Sequence, residues 1–205
     1  MSSKIEPFRA IAASQRTEHI RYAIRDIAML GEQLAREGKK VLALNIGDPM
    51  AYDFQAPPHL VEAVAKAMRD GKNGYAPSLG VPEALGAVRA LAERKGIRNI
   101  QSIFITAGVS EAVDICLTAL VNPGENVLTP CPDYPLYSAV LAKLEAQPNA
   151  YTLDEDSAWE PDLEHLATRV FTGTRATVVI NPNNPTGAVY SHRKLEAVAE
   201  LARQN

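Results

Sequence analysis

Cysteine, histidine and charge of one sign are all scarce in this chain of 205 residues. The two cysteines, Cys116 and Cys131, fall in different expected elements and form neither a Cys-x-x-Cys pair nor a disulfide framework. They fit a reducing compartment, with both thiols as buried bystanders. The four histidines, His19, His59, His165 and His192, are scattered without metal-ligand spacing, so no metal is expected. A formal net charge of −3, with no cluster of lysine and arginine, leaves no basic stripe for a phosphate backbone and argues against a nucleic-acid partner. Residues 1–13 carry Glu6 and Pro7 and lack an apolar run of signal-peptide length. No later stretch approaches the length that spans a bilayer, so a soluble, cytoplasmic protein without a membrane partner is expected. Internal repeats and low-complexity segments are absent.

What is present is an alternation of apolar runs and amphipathic stretches. A chain of this length can bury about 70% of the surface its unfolded form exposes, enough for one large domain with or without a small extension. Between Arg16 and Glu37, Ile20, Ile24, Ile27, Leu30 and Leu34 recur at three- and four-residue steps, which predicts a helix ended by Gly38. Val41–Ile46 reads as a short strand before Gly47-Asp48-Pro49. Helices are predicted over Pro58–Asp70 and Pro82–Lys95, the latter with a proline suited to a first helical turn. From Ile103 onward, short strands alternate with helices, as a parallel sheet with covering helices requires. The strands are Ile103–Thr106, Asn126–Thr129, Ala150–Leu153 and Ala176–Ile180; the helices are Glu111–Val121, Tyr134–Glu145, Pro161–Phe171 and His192–Arg203.

The run Ala176 to Gly187 holds the strongest chemical signal. An apolar, β-branched strand breaks into Asn181-Pro182-Asn183-Asn184-Pro185-Thr186-Gly187. The two prolines fix φ and hold the residues before them extended, so the loop is stiff. Stiff polar loops at the carboxyl ends of parallel strands are where open α/β sheets bind ligands, and Asn184 offers both a donor and an acceptor. A decorated turn is the bland alternative. At Thr106-Ala107-Gly108-Val109-Ser110 a predicted strand turns into a helix whose first N–H groups lack partners, which suits an anion, although a plain turn capped by Ser110 competes. In Cys131-Pro132-Asp133-Tyr134-Pro135-Leu136-Tyr137 an aromatic ring between prolines could lie against a planar cofactor or could simply pack at a helix start.

Taken in order and spacing, these segments resemble the fold-type I, pyridoxal-phosphate-dependent aminotransferases of class I/II. The resemblance runs from about Arg21 to the end and leans toward the alanine aminotransferase branch through Gly47-Asp48-Pro49 and Asp53-Phe54. It implies an α/β fold, a mainly parallel sheet covered by helices that forms an incomplete large domain, preceded by an N-terminal helical segment. Residues 1–45 would be the arm and helix of the small domain, and 46–205 the first part of the cofactor-binding large domain. It further implies that Asn184 bonds the phenolic oxygen of pyridoxal 5'-phosphate and helps hold the substrate carboxylate, and that Tyr134 stacks on the ring, leaving Tyr137 to packing or the substrate edge. Gly108, Val109 and Ser110 would grip the phosphate, Tyr75 in Asn73-Gly74-Tyr75 would reach the phosphate of a partner subunit in a homodimer, and the backbone of Gly47 would touch the substrate carboxylate. One local departure is Ala84-Leu85, where the family usually continues Leu-Arg after Gly80-Val81-Pro82-Glu83.

Pyridoxal chemistry also needs a lysine to carry the cofactor, an acid for the pyridine nitrogen and an arginine for the substrate carboxylate. In the family all three follow the Asn-Pro-Thr-Gly loop, so no catalytic residue is expected within this chain, and Lys194 should point away from the pocket. The expected activity is transfer of an amino group between an amino acid, alanine being favoured, and a 2-oxo acid, with the 205 residues alone an inactive amino-terminal portion. Two alternatives stand beside it: a non-catalytic half-site that associates with other subunits, and a related lyase or synthase on the same fold.

Overall fold

In the computed structural model, residues 12–20, 23–44 and 47–205 are described. They form two compact units, one comprising the described residues up to Asp26 with Val113–Asn205, the other Ile27–Ala112.

The first unit is built on a sheet of four strands, β1 (Asn126–Cys131), β2 (Gln147–Asp154), β3 (Glu160–Pro161) and β4 (Thr174–Thr177), in the order β3-β2-β1-β4. β1 pairs in parallel with β2, Asn126 opposite Gln147 through Cys131 opposite Thr152, and in parallel with β4 on its other side. Only the short β3 is antiparallel. Successive side chains of a strand point to opposite faces, and β1 is buried on both. Val127 accordingly joins Val113, Leu117, Val121, Val140, Leu141 and Ala146, whereas Leu128 joins Tyr151, Leu153, Leu166, Tyr190 and Val198. The first set comes largely from α4 (Val109–Leu120) and α5 (Leu136–Lys143), the second from β2, α6 (Leu163–Thr168) and α7 (His192–Gln204). Leu128, Leu141 and Leu166 are wholly buried, each stabilising the fold by about 1.5–3 kcal/mol.

In the second unit, α2 (Pro58–Arg69) and α3 (Pro82–Arg94) form where the periodicity predicts them, whereas α1 (Ala23–Arg36, whose first residues fall in the other unit) covers only the later part of the helix expected from Arg16 to Glu37, Gln15–His19 being a separate 3-10 turn. None of the residues of α2 or α3 is buried. A close approach is made at Gly80, at φ +120°, where an added Cβ would stand 2.4 Å from Ile105 Cγ1.

Four expectations change. Ile103–Thr106 forms no strand; its backbone tie is Ile105 N–H to the Leu79 carbonyl at 2.8 Å, and Phe104 and Ile105 are exposed. Apolar β-branched residues make a strand only with a neighbour to pair with. Val41–Leu44 is likewise exposed and unpaired, and Asn45 and Ile46 lie outside the described residues. The strand expected at Ala176–Ile180 is shifted to Thr174–Thr177. Val178 N–H still donates to Leu128 O at 2.8 Å, but two residues further along β1 stands Pro130, which has no N–H to return. The freed Val178 carbonyl takes the Tyr151 hydroxyl at 2.8 Å instead. Finally, both cysteines are exposed: Cys116 lies off the Val113 and Leu117 stripe of α4, and Cys131 is the exposed last residue of β1.

Candidate active site

β1 and β4 both lead into proline-bearing loops, with cis peptide bonds before Pro132, Pro182 and Pro185. The loop after β1 carries Asp133 and Tyr134, both half-buried. Burial pushes the Asp133 carboxyl up to about 6, against the lowering effect of hydrogen bonds from the Thr129 side chain and its own backbone. Its charge adds to burial in raising the Tyr137 phenol. Burial, with smaller contributions from Tyr190 and Asp133, drives the Tyr151 phenol well above its usual value.

The loop after β4 is organised by an asparagine that the sequence reading passed over. Asn183 is 3% exposed. Its Oδ1 accepts from Thr186 N–H at 3.1 Å and from the Thr186 hydroxyl at 2.8 Å. Its own N–H donates to Ala188 O, and its carbonyl accepts from Gly187 N–H, both at 2.8 Å. Nδ2 faces the Pro132 carbonyl at 3.5 Å, so the loop bearing Asn184 meets the loop bearing Tyr134. The next residue, Asn184, is exposed. Asn181 closes the far end, its Oδ1 accepting from Tyr190 N–H at 3.0 Å. The available signal for Asn183 was its spacing from Thr186, since an asparagine side chain readily takes the N–H of a residue two or three positions on.

Lys194 is engaged elsewhere: its amine donates to Pro161 O at 2.8 Å. A groove of about 570 Å³ lined by residues 170–177, Leu201, Ala202 and Asn205 flanks β4 from Thr174, which pairs with the first residue of β1. Asn184 is not among the residues that line it.

The second unit holds the remaining candidates. Gly108, at φ +82°, turns the chain into α4. The turn is closed by Gly108 N–H to Thr106 O at 2.8 Å and by the Thr106 hydroxyl to Gly108 O at 3.0 Å. Because α4 starts at Val109, Ser110 sits in the first turn rather than at the cap. The Glu111 carboxylate already takes Ala107 N–H at 2.5 Å, and the exposed Val109 and Ser110 lie in the first turn, at the positive end of the helix. Tyr75 is fully exposed, and Gly47 is exposed with open space where a Cβ would stand. Among the described residues no group of three or more His, Cys, Asp or Glu could hold a metal ion, and no helix is long and apolar enough to cross a membrane.

A sequence profile described as aminotransferase class I and II matches residues 39–205. The chain belongs to this family. It is 38% identical over 200 residues to a glutamate-pyruvate aminotransferase, AlaA, of Haemophilus influenzae, covering 96% of this chain and 49% of that protein. It is 36% identical over 204 residues to an alanine aminotransferase of Mycobacterium tuberculosis, covering 96% of this chain and 47% of that one. Its structure superimposes on an alanine aminotransferase from Pyrococcus furiosus with a TM-score of 0.87 at 38% identity, over 94% of this chain and 50% of that one. The fold is therefore that of the fold-type I aminotransferases, and the chain spans about half the length of the relatives it matches. The family depends on pyridoxal 5'-phosphate. Within the first unit the residues present fit that group: an exposed amide on a braced loop and a half-buried tyrosine on the loop that meets it.

Proposed function

We propose that the whole protein is an aminotransferase that moves an amino group between alanine and 2-oxoglutarate, giving pyruvate and glutamate. The observation that carries this reading is the 38% identity, across nearly the whole chain, to a glutamate-pyruvate aminotransferase. Bound pyridoxal phosphate supplies an electron sink for the carbanion left when the substrate loses its Cα proton. Asn184 donates from its exposed amide to the phenolic oxygen and helps hold the substrate carboxylate. Tyr134 would stack on the ring and exclude water from one face. At the turn that Gly108 makes, Val109 and Ser110 bind phosphate with their backbone N–H groups, and Gly47 presents its backbone to the substrate carboxylate. Tyr75 serves the site of a partner subunit in a homodimer, which its full exposure permits. Residues 1–45 belong to a small domain and 46–205 to the cofactor-binding domain of a cytoplasmic enzyme.

We further propose that residues 1–205 alone do not transaminate, because the lysine closest in sequence to the Asn184 loop has its amine on Pro161 O. The test is to supply alanine, 2-oxoglutarate and pyridoxal phosphate to the protein expressed from its complete reading frame and to residues 1–205. Pyruvate and glutamate are expected from the first alone. Cofactor binding without pyruvate from the complete protein would favour a lyase or synthase on the same fold, and pyruvate from residues 1–205 would overturn the inactive-portion reading.

A further inference from the structure

We propose that Asn183 is a positioning residue, clamping the loop after β4 to the loop after β1 so that Asn184 and Tyr134 are presented to one ligand as a unit. The inference rests on the aminotransferase reading for what that ligand is. The clamp itself follows from how the amide is used. Two donors from Thr186 hold Oδ1, at 3.1 and 2.8 Å, which fixes the orientation of the group. Nδ2 is thereby turned away from its own loop and toward the carbonyl of Pro132, two residues before Tyr134. The main chain of Asn183 is pinned at both groups, by Ala188 O and Gly187 N–H. With the backbone and side chain of one residue both fixed, the next residue has little freedom in where it points. Asn183 faces inward at 3% exposed while Asn184 is exposed.

The surroundings of Nδ2 support the assignment. The Tyr190 hydroxyl is buried without a hydrogen bond of normal geometry. Burial raises its phenol, and the neighbouring Asn183 amide counters part of that rise. The Asn183 amide thus lies beside the Tyr190 phenol as well as the Pro132 carbonyl. At 3.5 Å the link to Pro132 is long, so it adds little to stability. What it supplies is registry between two loops, and misplacing a binding group by a fraction of an ångström weakens binding without unfolding anything.

Asn183→Asp separates the two ends of the amide. It keeps an oxygen for Thr186 and replaces the donor facing Pro132 by an acceptor. The experiment is pyridoxal phosphate titration, read by the absorbance of bound cofactor and by equilibrium dialysis, in the protein expressed from its complete reading frame. Asn183→Asp should weaken binding about tenfold in otherwise unchanged protein and only about threefold or less when Asn184 is already alanine, because a residue that acts through another loses its effect once that other is gone. Thr186→Val, which removes the hydroxyl donor to Oδ1 and the acceptor for Ala188 N–H while keeping the backbone N–H of position 186 on Oδ1, introduces no charge; it should act in the same direction with a smaller effect and show the same dependence on Asn184, and it decides the matter if Asn183→Asp does not fold. Equal effects in the two backgrounds, or none, would overturn the clamp while leaving the aminotransferase reading intact. Failure of the unmutated protein to bind pyridoxal phosphate would overturn both.

Discussion

The two units were built from the same kind of sequence and have reached different states. Each contains amphipathic helices at the spacing that predicts them. Yet every buried apolar side chain of the core among the described residues lies at or beyond Val113, whereas in the other unit Leu60, Val61, Val64 and Met68 of α2 are each more than half exposed. The difference is the sheet. A two-faced strand such as β1 gives helices on either side something to bury against, and helices without such a partner keep their apolar stripes in water. Capping follows the division only in part, since α5 also begins at a proline without a side-chain cap. Asp162 and Ser191 cap α6 and α7 with their side chains, while α2 and α3 begin at prolines without a side-chain cap. Helical periodicity therefore specifies the element, and the sheet specifies whether the element is held.

The largest effect that sharpens this comparison is expected from truncation in the core. Leu128→Ala or Leu141→Ala should cost about 2–5 kcal/mol in urea unfolding of residues 1–205, with the upper end reached if the site does not collapse. Val64→Ala, at a position 62% exposed, should change stability by no more than about 0.5 kcal/mol. Comparable losses at the two places would erase the distinction between the units.

Next in size is a place where the second unit leaves no room for a side chain. Gly80→Ala should destabilise that unit by about 1–3 kcal/mol, since the backbone is at an unfavourable φ and the new methyl meets Ile105. Adding Ile105→Ala removes the Cγ1 at 2.4 Å but leaves the Cβ at 2.9 Å, so it should recover part of the loss and not all. Full recovery, or no initial loss by circular dichroism melting, would contradict the contact.

A smaller effect is expected from Asp133, the half-buried acid at the end of β1. Its folded-state value of about 6 lies above the ordinary 3.8, so the folded protein holds this proton more tightly than the unfolded chain. The resulting stability is fully present below about pH 4 and is lost as pH rises through about 6. Asp133→Asn removes this dependence. The Tm of the variant minus that of the unmodified chain should therefore rise between pH 4 and pH 7, and a flat difference would mean that the carboxyl is not desolvated as the fold places it.

Much of this was legible before the fold was known. Helices α2, α3 and α7 were readable from apolar spacing and flanking prolines or glycines, because those signals are local. β1 was readable from Val127-Leu128 set between two helical patterns in a βα alternation. The end of β4 was not, since it depends on Pro130 lacking a donor on a strand more than forty residues earlier and on Tyr151 supplying one. Ile103–Thr106 misled for a related reason: its composition suits a strand, but a strand is a relation between two segments. Within the candidate site, Asn184 was conspicuous as part of a loop pattern. Asn183 was not, because the worth of a buried amide lies in its partners, and Pro132 is 51 positions away.

The central claim is that the exposed amide beside Asn183 faces pyridoxal phosphate, and it is tested most directly by titrating the cofactor into the protein expressed from its complete reading frame, with and without Asn184→Ala, while following Tm in parallel. Loss of one hydrogen bond to the ligand should weaken binding about three- to tenfold, and Tm without cofactor should be unchanged because Asn184 is exposed. Unaltered affinity, or a loss of affinity matched by a fall in Tm of the cofactor-free protein, would contradict the account.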